Sequence, residues 1–190
     1  TGIGSKTGFI LPESDGLLPS RDKWKNWTVY DTALISIGQG KILVSPLQAA
    51  SYAAAIANGG LLWKPCLVRE IRNPSTGEKK VFPNELRGKL AASPQTLSLV
   101  REGMSRAVSE EEGSAKRARV EDLEVYGKTG TAEVGSGANR HKNTWFLGFT
   151  KTSSGRTYAI AVLVLHGDSG GGTCAPLAAR LFEKIEELGL

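Results

Sequence analysis

Apolar positions recur at helical spacing across residues 45–58, where Leu47, Ala50, Ala54 and Ala57 share one face. The start of this helix is signalled locally. Ser45 suits the N-cap, Pro46 the first helical position, and Gln48 completes a capping box. Gly59 and Gly60 predict its end. A stripe of such small side chains predicts close packing against a neighbour. A second helix opens in the same way at Ser93-Pro94-Gln95 and sets Leu97, Val100, Met104 and Val108 on its apolar face. Between the two, residues 67–72 and 79–82 flank the turn sequence Asn73-Pro74-Ser75-Thr76-Gly77, a pattern that predicts a β-hairpin.

The last third changes period. Residues 125–134 read as a strand interrupted by Gly127 and Gly130, residues 144–150 as a second strand, and residues 158–165 as a third, buried one after a turn at Ser153-Ser154-Gly155. A glycine run, Gly170-Gly171-Gly172, leads into a helix over 173–188 whose core face is Ala175, Leu177, Ala178, Leu181, Phe182 and Ile185. Residues 1–30 show no period, are rich in Gly, Pro, Ser and charge, and carry Trp24 and Trp27. Such an arm rarely folds alone, which predicts that it wraps over other parts of the fold. The whole reads as one α+β unit, an antiparallel sheet with packed helices. It divides into an arm (1–30), a helical part with a hairpin (31–122), and a sheet with a C-terminal helix (123–190). No internal repeat or linker interrupts it.

A chain of 190 residues can bury a real core. Its longest apolar run, 158–165, falls far short of the ~18 residues a membrane helix needs. Thr1-Gly2-Ile3-Gly4 has neither the basic nor the apolar region of a signal peptide, so any targeting segment is expected outside this sequence. The net charge of +5 does not point to nucleic acid. The basic group Lys116, Arg117 and Arg119 follows Glu110, Glu111 and Glu112, and no aromatic residues interleave with it; a solvated surface is expected. Cys66 and Cys174 lack metal-type spacing. Two unpaired buried thiols are the favoured reading and a long-range disulfide the alternative. His166, Asp168 and Cys174 are competent ligands, but their spacing is unusual and no fourth ligand is evident, so a surface loop and no metal are expected.

Candidate chemistry concentrates in Gly127-Lys128-Thr129-Gly130-Thr131-Ala132-Glu133. The triplet Lys-Thr-Gly alone is weak, as Lys6-Thr7-Gly8 shows by recurring in the arm. On a strand, however, Lys128 and Thr129 present a cation and a hydroxyl suited to a substrate carboxylate. Gly130 lets a ligand backbone pair against the strand. The Thr131 N–H is then free to donate to a developing oxyanion.

Lys-Thr-Gly is a motif of penicillin-binding proteins, and the chain resembles the class B penicillin-binding proteins of the elongation type over almost its whole length. The similar segments come in the family's order. Thr7-Gly8-Phe9-Ile10-Leu11-Pro12-Glu13 looks like the family's Thr-Gly-Ile-Asp-Leu-Pro-x-Glu arm. Ser36-Ile37-Gly38-Gln39-Gly40, Ser45-Pro46-Leu47-Gln48 and Ala57-Asn58-Gly59-Gly60 resemble its Gly-Gln-Gly loop and following helix. Gly113-Ser114-Ala115 stands where the family has Gly-Thr-Ala, and Trp145-Phe146-Leu147-Gly148-Phe149 resembles the strand after Lys-Thr-Gly. Gln39 is expected to shape the turn before the helix; Trp145 and Phe146 are expected in the core.

The resemblance implies the C-terminal portion of a β-lactamase/transpeptidase-like domain. Its activity would be D,D-transpeptidation of peptidoglycan stem peptides through an acyl-serine that β-lactams also form. Catalytic roles fall to Lys128 and Thr131, and substrate binding to Lys128, Thr129, Gly130 and Thr131. The family's nucleophilic Ser-x-x-Lys and its Ser-x-Asn are not carried here. Ser20-Arg21-Asp22-Lys23 follows Pro19 in a polar loop with no apolar helical face, and is set aside. The fragment alone is therefore expected to be inactive. His141 stands two residues before Asn143, where the family pattern often has His; a proton-transfer role is its minor reading. The implied partners are the upstream half of the same protein and a polytopic glycan polymerase of the elongation machinery. The implied location is the periplasmic face of the inner membrane, with an N-terminal anchor outside this sequence and no cofactor. A D,D-carboxypeptidase or β-lactamase-type hydrolase, and a non-catalytic penicillin-recognition module, are the rival readings.

Overall fold

In the computed structural model, which describes residues 2–190, the first regular element is a helix absent from the sequence expectation, α1 (Val29–Ser36). Its signal is a reciprocal cap. The Thr28 hydroxyl accepts from the Asp31 N–H, and the Asp31 carboxylate accepts from the Thr28 N–H. Hydrogen bonds from Thr28 and from Lys41 hold the Asp31 carboxyl down at about 2.

α2 (Pro46–Ala57) starts as expected: Ser45 caps the Gln48 N–H and Gln48 returns the bond to the Ser45 N–H. The buried face differs, however. Ala49, Ala53, Ala55 and Ile56 are buried, whereas Leu47, Ala50, Ala54 and Ala57 are half-buried. Alanine on nearly every side leaves the periodicity of this helix undecided, and Ile56 settles which face turns inward.

β1 (Leu61–Trp63) pairs with a later strand, β4 (Leu86–Lys89), around the hairpin formed by β2 (Glu70–Arg72) and β3 (Lys79–Val81). The β1–β4 pair was not expected, since three or four residues are too few to show alternation. α3 (Pro94–Ser109) buries Leu97, Met104 and Val108. Val100 is exposed, contrary to expectation, because it lies about 60° round the helix from the line through Leu97 and Met104.

The main sheet is antiparallel, in the order β5 (Val125–Val134), β6 (His141–Lys151), β7 (Thr157–Leu165). A wide turn, Gly170–Cys174, leads to α4 (Ala175–Glu187). Both faces of the sheet are covered. On one, Val125, Phe146, Ile160, Val162 and Val164 pack with Ala175, Ala178 and Phe182 of α4. On the other, Tyr126, Leu147, Phe149 and Ala159 pack with Ala55 and Ile56 of α2 and with Leu97 and Met104 of α3. Tyr126 and Phe149 stack with ring centroids 4.6 Å apart.

Two expectations about this sheet are corrected. The buried central strand is β6, whereas β7 is an edge strand whose residues are at most half-buried. The unbroken apolar run of β7 reflects cover on both faces rather than central placement. On α4, Leu177 and Leu181 are exposed, because Ala175, Ala178, Ala179 and Phe182 already fill the line facing the sheet. Both thiols are unpaired; Cys174 is buried, but Cys66 is exposed. Among the described residues no helix is long and apolar enough to cross a membrane.

The arm wraps onto the start of α2, as its composition suggested. The buried Gln48 amide donates to the Ser5 and Asp15 carbonyls, and Leu17 bridges to Leu43. Glu13 closes the arm's own turn, accepting from the Thr7 hydroxyl and from the N–H groups of Thr7, Gly8 and Phe9. Desolvation pushes the Glu13 carboxyl up, but the bonds from Thr7, Gly8 and Phe9 together outweigh it and hold the group below its ordinary value of 4.5. A lowered folded-state pKa gives stability that is fully present above the unfolded value and lost as pH falls through the folded one. The arm turn is therefore expected to be intact above pH 4.5 and to open progressively in more acid solution. Amide exchange at Gly8 and Phe9 should accelerate across that range beyond its intrinsic pH dependence, and should not do so in Glu13→Gln. Unchanged protection of both amides in acid would show that the carboxylate does not hold the turn.

Candidate active site

Strand β5 carries the Lys-Thr-Gly segment, and its outer side has no strand partner among the described residues. It pairs only with β6, in the register Lys128↔Leu147, Thr129↔Phe146, Gly130↔Trp145 and Thr131↔Thr144. In an antiparallel ladder the backbone groups of alternate residues turn toward the partner and away from it. The Thr129 carbonyl accepts from Lys128 Nζ at 2.6 Å, and the Thr131 carbonyl accepts from Gln39 Nε2 at 2.8 Å. Both carbonyls thus serve the free edge, and the Thr131 N–H lies on that same edge.

The side chains of Thr129 and Thr131 share the face toward α4. The Thr129 hydroxyl donates to the Ser114 hydroxyl at 3.2 Å, and the Thr131 hydroxyl accepts from the Gly170 N–H at 3.1 Å. Gly170 lies flat on the ladder: a Cβ there would come within 2.5 Å of both the Gly130 and Trp145 carbonyl oxygens. The glycine run after β7 is therefore a backbone lid pressed onto the Lys-Thr-Gly strand, and Ser169, capping the Gly172 N–H, holds its turn. Lys128 is exposed on the opposite face, where Gly130 packs beside Trp145, which is half-buried. Phe146 is fully buried.

The structure brings Lys128, Thr129, Gly130 and Thr131 together along one edge and adds two residues to them, Ser114 and Gln39. The sequence expectation for Gln39 is a role in shaping the turn before the helix. Its flanking glycines, Gly38 at φ 73° and Gly40 at φ 80°, do shape a turn, and that turn aims the side chain at a strand 92 positions away. Nothing local to Gln39 announces such a reach.

The set-aside motifs lie elsewhere. Ser20 accepts from the N–H groups of Lys23 and Trp24 in a surface turn, and Thr7 is buried in the arm against Glu13. His141 stacks on His166 at 4.2 Å, and its Nδ1 lies 3.1 Å from the Asn139 carbonyl. The Cys174 thiol donates to the Thr144 hydroxyl. Among the described residues no three of His, Cys, Asp and Glu are grouped to hold a metal. An apolar cleft of about 480 Å³ sits at the base of the β2–β3 hairpin, lined by Ile10, Cys66, Leu67 and Phe82, and does not include the β5 edge. The edge itself offers a cation, hydroxyls and an oriented N–H, groups chemically suited to binding and polarising a carbonyl compound. It offers no paired nucleophile and base.

Comparison with known proteins gives a consistent result. The family model of the penicillin binding protein transpeptidase domain matches residues 1–183. The chain is 31% identical over 157 residues to the peptidoglycan D,D-transpeptidase PbpA of Mycobacterium tuberculosis, covering 79% of this chain and 31% of that protein. The crystal structure of apo penicillin-binding protein 3 from the same organism superposes with a TM-score of 0.81 at 27% identity, over 98% of this chain and 44% of that one. The ceftriaxone acyl-enzyme complex of M. tuberculosis penicillin-binding protein A gives a TM-score of 0.68 at 29% identity, over 79% and 34%. The chain thus spans under a third of the length of the curated relative.

Proposed function

The chain belongs to the family of penicillin-binding protein transpeptidase domains, and on that premise we propose that it is the substrate-binding portion of a peptidoglycan D,D-transpeptidase. A stem peptide pairs with the free edge of β5 as an added strand. The Lys128 ammonium and Thr129 hydroxyl receive its terminal carboxylate, and the Thr131 N–H donates to the oxygen of the attacked carbonyl as that oxygen becomes an oxyanion. Gly130 keeps the strand flat where the peptide lies. A serine, deprotonated by a lysine, attacks the penultimate D-alanine carbonyl, and the terminal D-alanine leaves. An amine from a neighbouring strand then displaces the serine from the acyl-enzyme. Neither serine nor lysine belongs to these 190 residues. We assign both to the upstream part of the protein.

The observation that carries this reading is the free edge, whose outward carbonyls meet only side chains, Lys128 and Gln39. Exposed apolar residues support the need for an upstream part. Val29, Tyr30 and Ile37 around α1 and Leu177 and Leu181 on α4 all face solvent, and the outer side of β7 has no strand partner among the described residues. Within one transpeptidase domain, residues 1–30 form the arm, 31–122 the helical part and 123–190 the sheet and last helix. The whole protein acts outside the cytoplasm, held at the inner membrane by an N-terminal segment, and works with a glycan polymerase of the elongation machinery.

Intact mass after incubation with a penicillin tests the reading. The full-length protein is expected to gain one drug mass and the 190-residue chain none. Acylation of the short chain would move the nucleophile to a residue set aside above. Transfer of the acyl group to an added amine, in preference to water, separates the transpeptidase from a hydrolase of the same fold.

A further inference from the structure

The Gln39 carboxamide is a peptide-like group placed where a peptide is proposed to bind. Thr131 presents both a donor and an acceptor to the free edge, and a strand added there would use both, because paired residues of an antiparallel ladder exchange two bonds. Gln39 Nε2 already holds the acceptor, at 2.8 Å, and leaves the N–H open. The base of its loop is fixed: the Gln39 N–H donates to the Leu34 carbonyl at 2.8 Å, and Lys41 pairs with Asp31 at 2.9 Å. The side chain makes its hydrogen bond at the tip, so rotation about its own torsions can release that bond while the loop stays in place. An unpaired edge carbonyl is a liability both for solvation and for unwanted strand pairing, and a side-chain amide satisfies it at little cost.

We propose that Gln39 is a specificity-determining residue of the acyl-donor subsite, whose carboxamide occupies the Thr131 carbonyl in place of a donor's own amide N–H and yields to that N–H when the donor pairs. This rests on the reading of β5 as the donor-binding edge. A donor whose acylamino N–H sits beside the attacked carbonyl displaces Gln39 to reach Thr131. A donor without that N–H leaves Gln39 where it is, and the carbonyl stays satisfied. Gln39 thereby narrows the difference in reactivity between the two kinds of donor.

Ceftriaxone carries an acylamino N–H next to its lactam ring, whereas imipenem carries a hydroxyethyl group there. The experiment compares second-order acylation rates of the full-length protein by both drugs, for the parent, Gln39→Ala and Gln39→Met. Removing the competing bond is expected to raise the ceftriaxone-to-imipenem rate ratio about fivefold in both variants, the equivalent of one ordinary net hydrogen bond. A melting temperature near that of the parent reports that each variant has folded. A parallel fall in both rates, or an unchanged ratio, would overturn the proposal and return Gln39 to a supporting role. A lowered ratio would also overturn it, since Gln39 would then be helping to bind the amide. If the parent protein is acylated by neither drug, the transpeptidase reading itself fails, and this proposal with it.

Discussion

Gly170→Ala is expected to destabilise the protein by about 3 kcal/mol, the upper part of the usual range for forcing an extra methyl into packed structure. The added Cβ would lie 2.5 Å from the Gly130 and Trp145 carbonyl oxygens and 2.9 Å from the Gly130 nitrogen. All three are backbone atoms of the β5–β6 ladder, so none can turn away as a side-chain tip would. Either the glycine lid lifts, freeing the Thr131 hydroxyl from the Gly170 N–H, or the ladder shifts at the residue proposed to supply the oxyanion bond. Thermal melting of the full-length protein should show a fall of roughly 5 °C, with acylation by a β-lactam lost in proportion. Gly103→Ala is the matched control. It lies in the middle of α3, a Cβ there meets nothing within 4 Å, and helix propensity predicts a gain of up to about 1 kcal/mol. Equal melting temperatures for Gly170→Ala and the parent would mean that the loop does not lie on the strand.

Lys128→Ala should separate function from stability. The side chain is exposed, and its tip bonds only the adjacent Thr129 carbonyl, so melting should be unaffected. Acylation by a β-lactam should fall on the order of 10²- to 10³-fold, the scale seen when one oriented group that stabilises charge is removed from a site. Lys128→Arg is expected to recover only part of the loss, because a planar fork does not reproduce a compact ammonium. Wild-type acylation by Lys128→Ala would remove the β5 edge from the proposed site. The two substitutions together also distinguish residues that hold the edge in place from those that meet the ligand.

How far the sequence carried depended on the range of the interaction. The starts of α2 and α3 were legible because Ser45, Gln48 and Ser93 bond to groups three residues away. α1 was missed although Thr28 and Asp31 form the same kind of box, because its apolar residues are spread over several sides of the helix and none is buried. Strand β5 was legible in both bounds, and its Lys-Thr-Gly segment with them. The buried face of α2 was not, since alanine fits equally well on any side.

The ordered segments from the arm to the strand after Lys-Thr-Gly were enough by themselves to determine the family of this protein and to single out the strand proposed to bear its chemistry. Tertiary structure alone decided that β5 lies at an edge with β6 inside, that Gly170 rests on the ladder beside Thr131, and that Gln39 reaches the Thr131 carbonyl. The physical reason is the same in each case. Caps and turns satisfy backbone groups within a few residues, and so leave a mark in the local sequence. The open side of an edge strand is satisfied by whatever the completed fold brings to it, and that choice is written nowhere near the strand.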